Sequence, residues 1–327
     1  MAVVESGPPA QAPVPPRRRP QRVAVAAICA SAATWGLGTV LSKAAVDSAL
    51  DPLPLLAVQL AASVVFLGLL VAWRARPASV DRTLLRSGAA GLLEPGLSYP
   101  VALVGLGLTT AGSASVIGSV EPVVTAALAW VVLRERVTAR ASVCMAVVLL
   151  GVALVGADTS TGGGTQALLG NALVLLGVVF AAVYSVASAR AARRVPPLVL
   201  ALLQHSWALL LVVPLWAVAV LAGLSGGLPA GLGVQTWALA VLSGVVNYAV
   251  PFWLYLVAVR TLPVGIAAQF LALVPVVGVT GGVVLLGEAV SAAQAAGALL
   301  VVLALVGLAR TVGVSASAPV RTTRASP

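Results

Sequence analysis

Residues 112–135, GSASVIGSVEPVVTAALAWVVLRE, return in altered form at 265–288, GIAAQFLALVPVVGVTGGVVLLGE. Sliding the chain 153 positions along itself, without a gap, sets Gly112 on Gly265, Pro122 on Pro275 and Glu135 on Glu288. Aliphatic matches say little in a chain that is 60% hydrophobic. Gly, Pro and Glu say more, because each makes its own demand on backbone or burial. Each copy opens on Gly and small residues, meets a Pro near its middle and ends on a Glu. A repeat of fixed period governs the whole fold. Here it divides the chain into two halves of one design.

The material of both halves is apolar. Only 9% of the 327 residues are charged and the mean hydropathy is +1.08, too few charges to cover a water-soluble surface. A hydrocarbon layer of ~30 Å takes ~20 apolar residues as helix. A lipid-spanning barrel would alternate apolar and polar residues, whereas these runs are continuous, so the expectation is all-α. Ten spans are expected, at 23–42, 54–73, 88–107, 112–133, 141–156, 168–188, 198–221, 236–257, 264–286 and 292–309. They give a first unit at 23–156 and a second at 168–309, joined by a Gly-rich connector at 157–167. A basic tail at 1–22, read as disordered, precedes them, and a tail at 310–327 follows. A cleaved signal peptide is the rival reading of the first span, since Ala30-Ser31-Ala32 imitates a cleavage site.

Of 19 basic residues, Lys43 alone falls on one side of the membrane if the N-terminus is cytoplasmic. The arginines fall in clusters beside the apolar runs on the other, as the positive-inside rule requires. The expected location is therefore the cytoplasmic membrane, with both termini inside. The pI near 11.2 reflects this orientation signal, and no nucleic-acid partner is expected. Cys29 and Cys144 both lie in apolar runs, so neither a disulfide nor a metal site is expected. With five spans per half, an odd number, the second half enters from the opposite face. Inverted five-helix repeats are an arrangement of secondary transporters.

At these residues the chain resembles the EamA family of the drug/metabolite transporter superfamily. Trp35-Gly36 followed by Lys43 is similar to that family's opening on the first helix. Pro122 with Leu133-x-Glu135, and Pro275 with Leu286-Gly287-Glu288, resemble its fourth and ninth helices. The second helix departs: the family usually has an Arg after the Pro-rich entry, and Gln59 stands there, with Gln204 in the similar place of the second half. A mechanism through an Arg at that place loses its residue. The resemblance implies a ten-helix exporter or exchanger of small metabolites.

An ionisable group inside a span is a functional candidate by default. Glu121 lies nine residues into the fourth span, ~13 Å deep at 1.5 Å per residue, and Pro122 behind it disturbs the hydrogen-bond ladder. Glu94 is likewise followed by Pro95, and the 153-residue shift carries it onto Asn247. Gln59, Gln204 and the lone His205 are further polar candidates, and Trp35, Tyr99, Tyr184 and Trp253 are aromatic ones. Each has a plainer reading as an interhelical hydrogen-bonder or packing group. Lys43 is expected to snorkel to the interface, Glu135 and Glu288 to cap or pair at helix ends. Gly278-x-x-x-Gly282 and Ala114-x-x-x-Gly118 suit close helix packing.

The expected function is a secondary transporter. It would export or exchange small polar, amino-acid-like metabolites by rocking one half against the other, coupled to protons through Glu121. A small molecule and membrane lipid are the partners, a homodimer remains open, and no cofactor is expected. A channel or a receptor is the alternative. Enzyme chemistry finds no nucleophile and base, no intramembrane Asp pair and no metal-ligand spacing. No phosphate-binding loop supports ATP-driven pumping.

Overall fold

The computed structural model describes residues 18–48, 50–74, 82–108, 117–118, 120–135, 138–155, 165–286 and 292–315. Among the described residues every regular element is helical. In chain order they are α1 (Arg18–Asp47), α2 (Pro52–Arg74), α3 (Arg82–Leu108), α4 (Glu121–Leu133), α5 (Ala139–Val155), α6 (Thr165–Ala192), α7 (Pro197–Leu221), α8 (Val234–Val259), α9 (Val264–Leu286) and α10 (Ala292–Ser315). Seven of these are long and apolar enough to cross a membrane; α4, α5 and α10 hold only shorter apolar stretches, Glu121–Leu133, Ser142–Gly151 and Ala295–Ala304. The expected count of ten spans thus rests on length for seven of them.

Helix bounds run past the apolar stretches. Arg18, Arg19 and Arg22, assigned to a disordered tail from sequence, form the opening of α1, and α10 likewise continues to Ser315. Hydropathy marks where lipid is tolerated, while a helix continues as long as its backbone ladder does. Residues 1–17, positions 156–164 and the end beyond 315 lie outside the described residues, while the last three positions of the expected connector, 165–167, belong to α6. Gly112, Ala114, Gly287 and Glu288 also lie outside the described residues.

Both repeat prolines sit in the first turn of a helical piece. In α4 a turn at Val120 precedes Glu121–Leu128, with Pro122 in its first turn. In α9 the piece Val264–Phe270 gives way at Leu271 and Ala272 to Leu273–Leu286, with Pro275 in the new first turn. A first-turn amide has no intrahelical acceptor anyway, so a missing N–H costs nothing there. α3 and α8 are interrupted at matching places by single π turns, Leu93–Leu97 and Val245–Ala249. Glu94 lies in the first with φ −143° and ψ 127°, outside the helical region. Asn247 lies in the second. π turns widen a helix locally and free backbone groups.

The packing follows one scheme twice. α3 and α4 pack on α6, while α8 and α9 pack on α1. α7 meets the start of α3 as α2 meets α8, and α5 lies along α10. Polar contacts repeat it. Ser31 Oγ on α1 donates to Pro251 O on α8 at 2.7 Å, and Ser98 Oγ on α3 donates to Gly177 O on α6 at 2.9 Å. Gln59 Nε2 donates to Ser42 Oγ at 2.8 Å and Ser243 Oγ at 2.9 Å. Gln204 Nε2 donates to Ser188 Oγ at 2.8 Å. Such bonds bring polar groups into the bundle without water. Close backbone approach needs glycine at several crossings, two of them equivalent in the two halves. A Cβ on Gly91 would overlap the backbone of Gln204, and one on Gly244 would fall 2.6 Å from Gln59 O.

The two ends of the bundle differ chemically. Arg74 lies over Trp253, Arg190 Nη2 donates to Val132 O at 2.7 Å, and Glu135 receives the Gly265 N–H at 3.4 Å with Arg193 at 4.0 Å. These contacts gather the α2, α4, α6 and α8 C-termini at an arginine-rich end. At the other end Asp51 accepts from Gly226 N at 2.7 Å, and Trp216 Nε1 donates to Gly226 O at 3.1 Å. That ties the α1–α2 turn to the α7–α8 connection.

Candidate substrate cavity

α1 brings hydroxyls and an indole into the bundle because its polar side chains bond their own backbone. Thr39 Oγ1 donates to Trp35 O at 3.0 Å and Ser42 Oγ to Gly38 O at 2.8 Å. A hydroxyl satisfied one turn back can sit away from water. On this framework lies a cavity of about 800 Å³ between α1, α2, α3, α4, α8 and α9. Its deep part is lined by Trp35, Glu94, Tyr99, Glu121, Asn247 and Tyr248, and both repeat prolines, Pro122 and Pro275, face it. The lining continues through Thr39, Ser42 and Gln59 to Lys43, Asp47 and Pro52 at the α1–α2 turn. A side chamber of about 490 Å³ shares Glu94, Tyr99 and Glu121 and extends to Val174, Gly177 and Ala181 on α6.

The aromatic groups are fixed in place. Trp35 Nε1 donates to Tyr99 Oη at 3.0 Å, Trp35 packs at 4.7 Å from Phe252, and Tyr99 at 5.4 Å from Tyr248. Two carboxyl groups, Glu94 and Glu121, share this space. Glu121 opens its helical piece, at the positive end of the local backbone dipoles. Asn247 Oδ1 is buried and has no hydrogen-bond partner among the described residues. Lys43 Nζ meets Asp47 Oδ2 at 2.9 Å. The deep part therefore offers acceptors and π faces, with its ammonium and Asp partner nearer the mouth. A cation bearing N–H groups suits such a lining.

Of the residues singled out from sequence, Trp35, Gln59, Glu94, Tyr99, Glu121 and Asn247 line this cavity. The others do not. Gln204 is fully buried, accepting from Tyr184 Oη at 3.1 Å and donating to Ser188. His205 Nδ1 lies 3.2 Å from Ser63 Oγ and its ring meets Phe252 edge-on at 4.9 Å. Trp253 lies beside Arg74 at the arginine-rich end. These four lie outside the lining of the cavity. Sequence reasoning missed Tyr248, because the repeat shift sets it opposite Pro95, and Asp47, which the i,i+4 spacing from Lys43 could have flagged.

Comparison with known proteins places this architecture. A model of the EamA-like transporter family matches residues 22–157 and again 168–310. No curated protein matches the sequence significantly. A solved crystal structure superposes with a TM-score of 0.72 over 90% of this chain and 99% of its own, at 20% identity. At that identity the likeness concerns the fold.

Proposed function

Since the chain belongs to the EamA-like transporter family and forms a multi-pass membrane bundle, we propose that it is a secondary transporter of small metabolites bearing an ammonium group, amino-acid-like compounds first among them. The observation that carries this reading is the deep cavity, where Glu94, Glu121 and the buried Asn247 Oδ1 meet Trp35, Tyr99 and Tyr248. Ammonium groups donate to such acceptors and lie over such rings. The apolar remainder of the lining takes the body of the substrate.

The bundle spans the cytoplasmic membrane ten times as two inverted five-helix units. The matched packing of α3 on α6 and α8 on α1 supports this. The arginine-rich end faces the cytoplasm, so the cavity, whose lining reaches Lys43 and Asp47, faces outward. Alternating access exchanges this opening for one at the arginine-rich end, where Glu135, Gly265 and Arg193 now meet. The moving bodies follow the packing: α1 with α8 and α9, and α6 with α3 and α4. Glu121 couples the cycle by holding either a proton or the substrate ammonium. A carboxyl whose access alternates takes its proton on one side and releases it on the other.

Glu121→Gln tests this in proteoliposomes. The variant keeps shape and hydrogen bonding but cannot titrate, so uptake driven by an imposed pH gradient is expected to vanish while the protein remains monodisperse. Retained concentrative uptake would remove Glu121 from the coupling step. Downhill flux at a wild-type rate, with no response to the gradient in either protein, would favour a channel.

A further inference from the structure

A second cavity lies at the arginine-rich end, between the start of α3 and the end of α6, and it shares no residue with the substrate cavity beyond the helices themselves. Its volume is about 790 Å³, and Arg86, Arg190, Arg193 and Arg194 line it over a floor of small side chains. Among the described residues, Arg190 donates to Val132 O and Arg193 stands 4.0 Å from Glu135. The positive charge so gathered far exceeds what one carboxylate balances. An anion seated among these exposed arginines would offset their mutual repulsion. Guanidinium groups converge on phosphate oxygens in paired hydrogen bonds.

The surface beside the cleft says which kind of phosphate. Along α6, Leu176, Val179 and Val183 are 41%, 36% and 38% exposed. They recur at helical spacing and lead through Ala187 to Arg190 in the cleft, with Arg194 in the turn after α6. An apolar track thus runs straight into the basic cleft on one helix face. A soluble phosphate would use the cleft and leave the track unused; a phospholipid uses both, with headgroup among the arginines and acyl chain along α6. Basic pockets between membrane helices serve this purpose in general. We propose that this cleft is a binding site for an anionic phospholipid. The site borders α6 and α3, two helices that flank the side chamber, so its occupant stands against one of the packing units of the bundle.

Native mass spectrometry of the full chain in detergent tests it, with phosphatidylglycerol, phosphatidylcholine and inorganic phosphate as separate probes. Phosphatidylglycerol is expected to bind at least tenfold more tightly than phosphatidylcholine. The double variant Arg86→Gln/Arg194→Gln leaves the Arg190 and Arg193 contacts intact and should reduce phosphatidylglycerol binding at least fivefold. Arg260→Gln, an exposed arginine outside the cleft, should leave it unchanged and controls for net charge. Val183→Asp, on the exposed track, should weaken the lipid without affecting phosphate. Equal loss in the Arg260 variant, no preference between the lipids, or inorganic phosphate displacing phosphatidylglycerol at equal concentration would each overturn the proposal. Size-exclusion profiles of the exposed-site variants check that any loss is of binding and not of fold.

Discussion

Replacing Gly244 by alanine tests whether α2 and α8 touch backbone to backbone. A Cβ there falls 2.6 Å from Gln59 O, 2.8 Å from Gln59 Cα and 3.0 Å from the Ala62 Cβ. Comfortable carbon contacts lie near ~3.5–4.0 Å, so the helices must part by about 1 Å. The obstacle is main chain, which cannot rotate aside as a side chain would. Overpacking of this kind costs about 1–3 kcal/mol. Against it stands the helical preference for Ala over Gly, about 0.5–1 kcal/mol. Gly68 on α2 supplies the control, because a Cβ there meets nothing within 4 Å. Whatever helical preference is worth in lipid, it applies to both substitutions and cancels in their comparison. Gly244→Ala is therefore expected to be less stable than Gly68→Ala by about 1–3 kcal/mol. Reversible unfolding in mixed micelles of increasing denaturing-detergent fraction measures the difference. Gly91→Ala, facing the Gln204 backbone, should lose at least as much as its twin. Equal stability of Gly244→Ala and Gly68→Ala would show that the approach is looser than described and would remove the α2–α8 contact as a fixed point of the bundle.

Two further outcomes are expected. In a variant with Cys29 and Cys144 replaced by Ser, a single Cys at Ser225 should react with an impermeant reagent on intact cells, and one at Thr261 only after permeabilisation; the reverse pattern would overturn the orientation. Trp35→Phe keeps the packing on Phe252 but loses the donation to Tyr99, worth about 0.5–1.5 kcal/mol. Substrate affinity, read as the KM of uptake, should weaken by about 2- to 10-fold, and an unchanged KM would separate the Tyr99 position from substrate.

Much of the architecture was legible because it rests on backbone demands. The prolines of the repeat mark helical pieces that open at Glu121 and Leu273, and the shift of Glu94 onto Asn247 marks two π turns. The first and second helices were harder. The structure sets Ser42 with Ser188, 146 apart, and Gln59 with Gln204, 145 apart, because the connections differ in length, so a gap-free shift of 153 misses them. Gln59 and Gln204 each donate to a serine of their own, Ser42 and Ser188, but only Gln59 reaches the cavity. Sequence spacing cannot distinguish a polar side chain aimed at a void from one consumed by its neighbour. Tyr184, whose hydroxyl donates to Gln204, also lies outside the cavity lining. Asp47 was overlooked because it lies past the apolar run, while α1 continues to include it.

The packing of α1 on α8 and α9 also sets an order of events during synthesis. Ser31 finds its acceptor at Pro251, 220 residues later. At ~5–20 residues per second the ribosome needs ~11–44 s to cover that distance. For that interval the first helix has entered lipid without the surfaces it will finally touch, and its serine must hold a provisional partner, such as a carbonyl one turn back. Gly36 and Gly38, which later admit α9 and α8 so closely, meanwhile present bare backbone to the bilayer. The early half is thus a waiting template, completed only when the late half arrives. A chain cut in the connector should yield two pieces that require each other to persist, and degradation of the lone first half would be the cell's reading of that dependence.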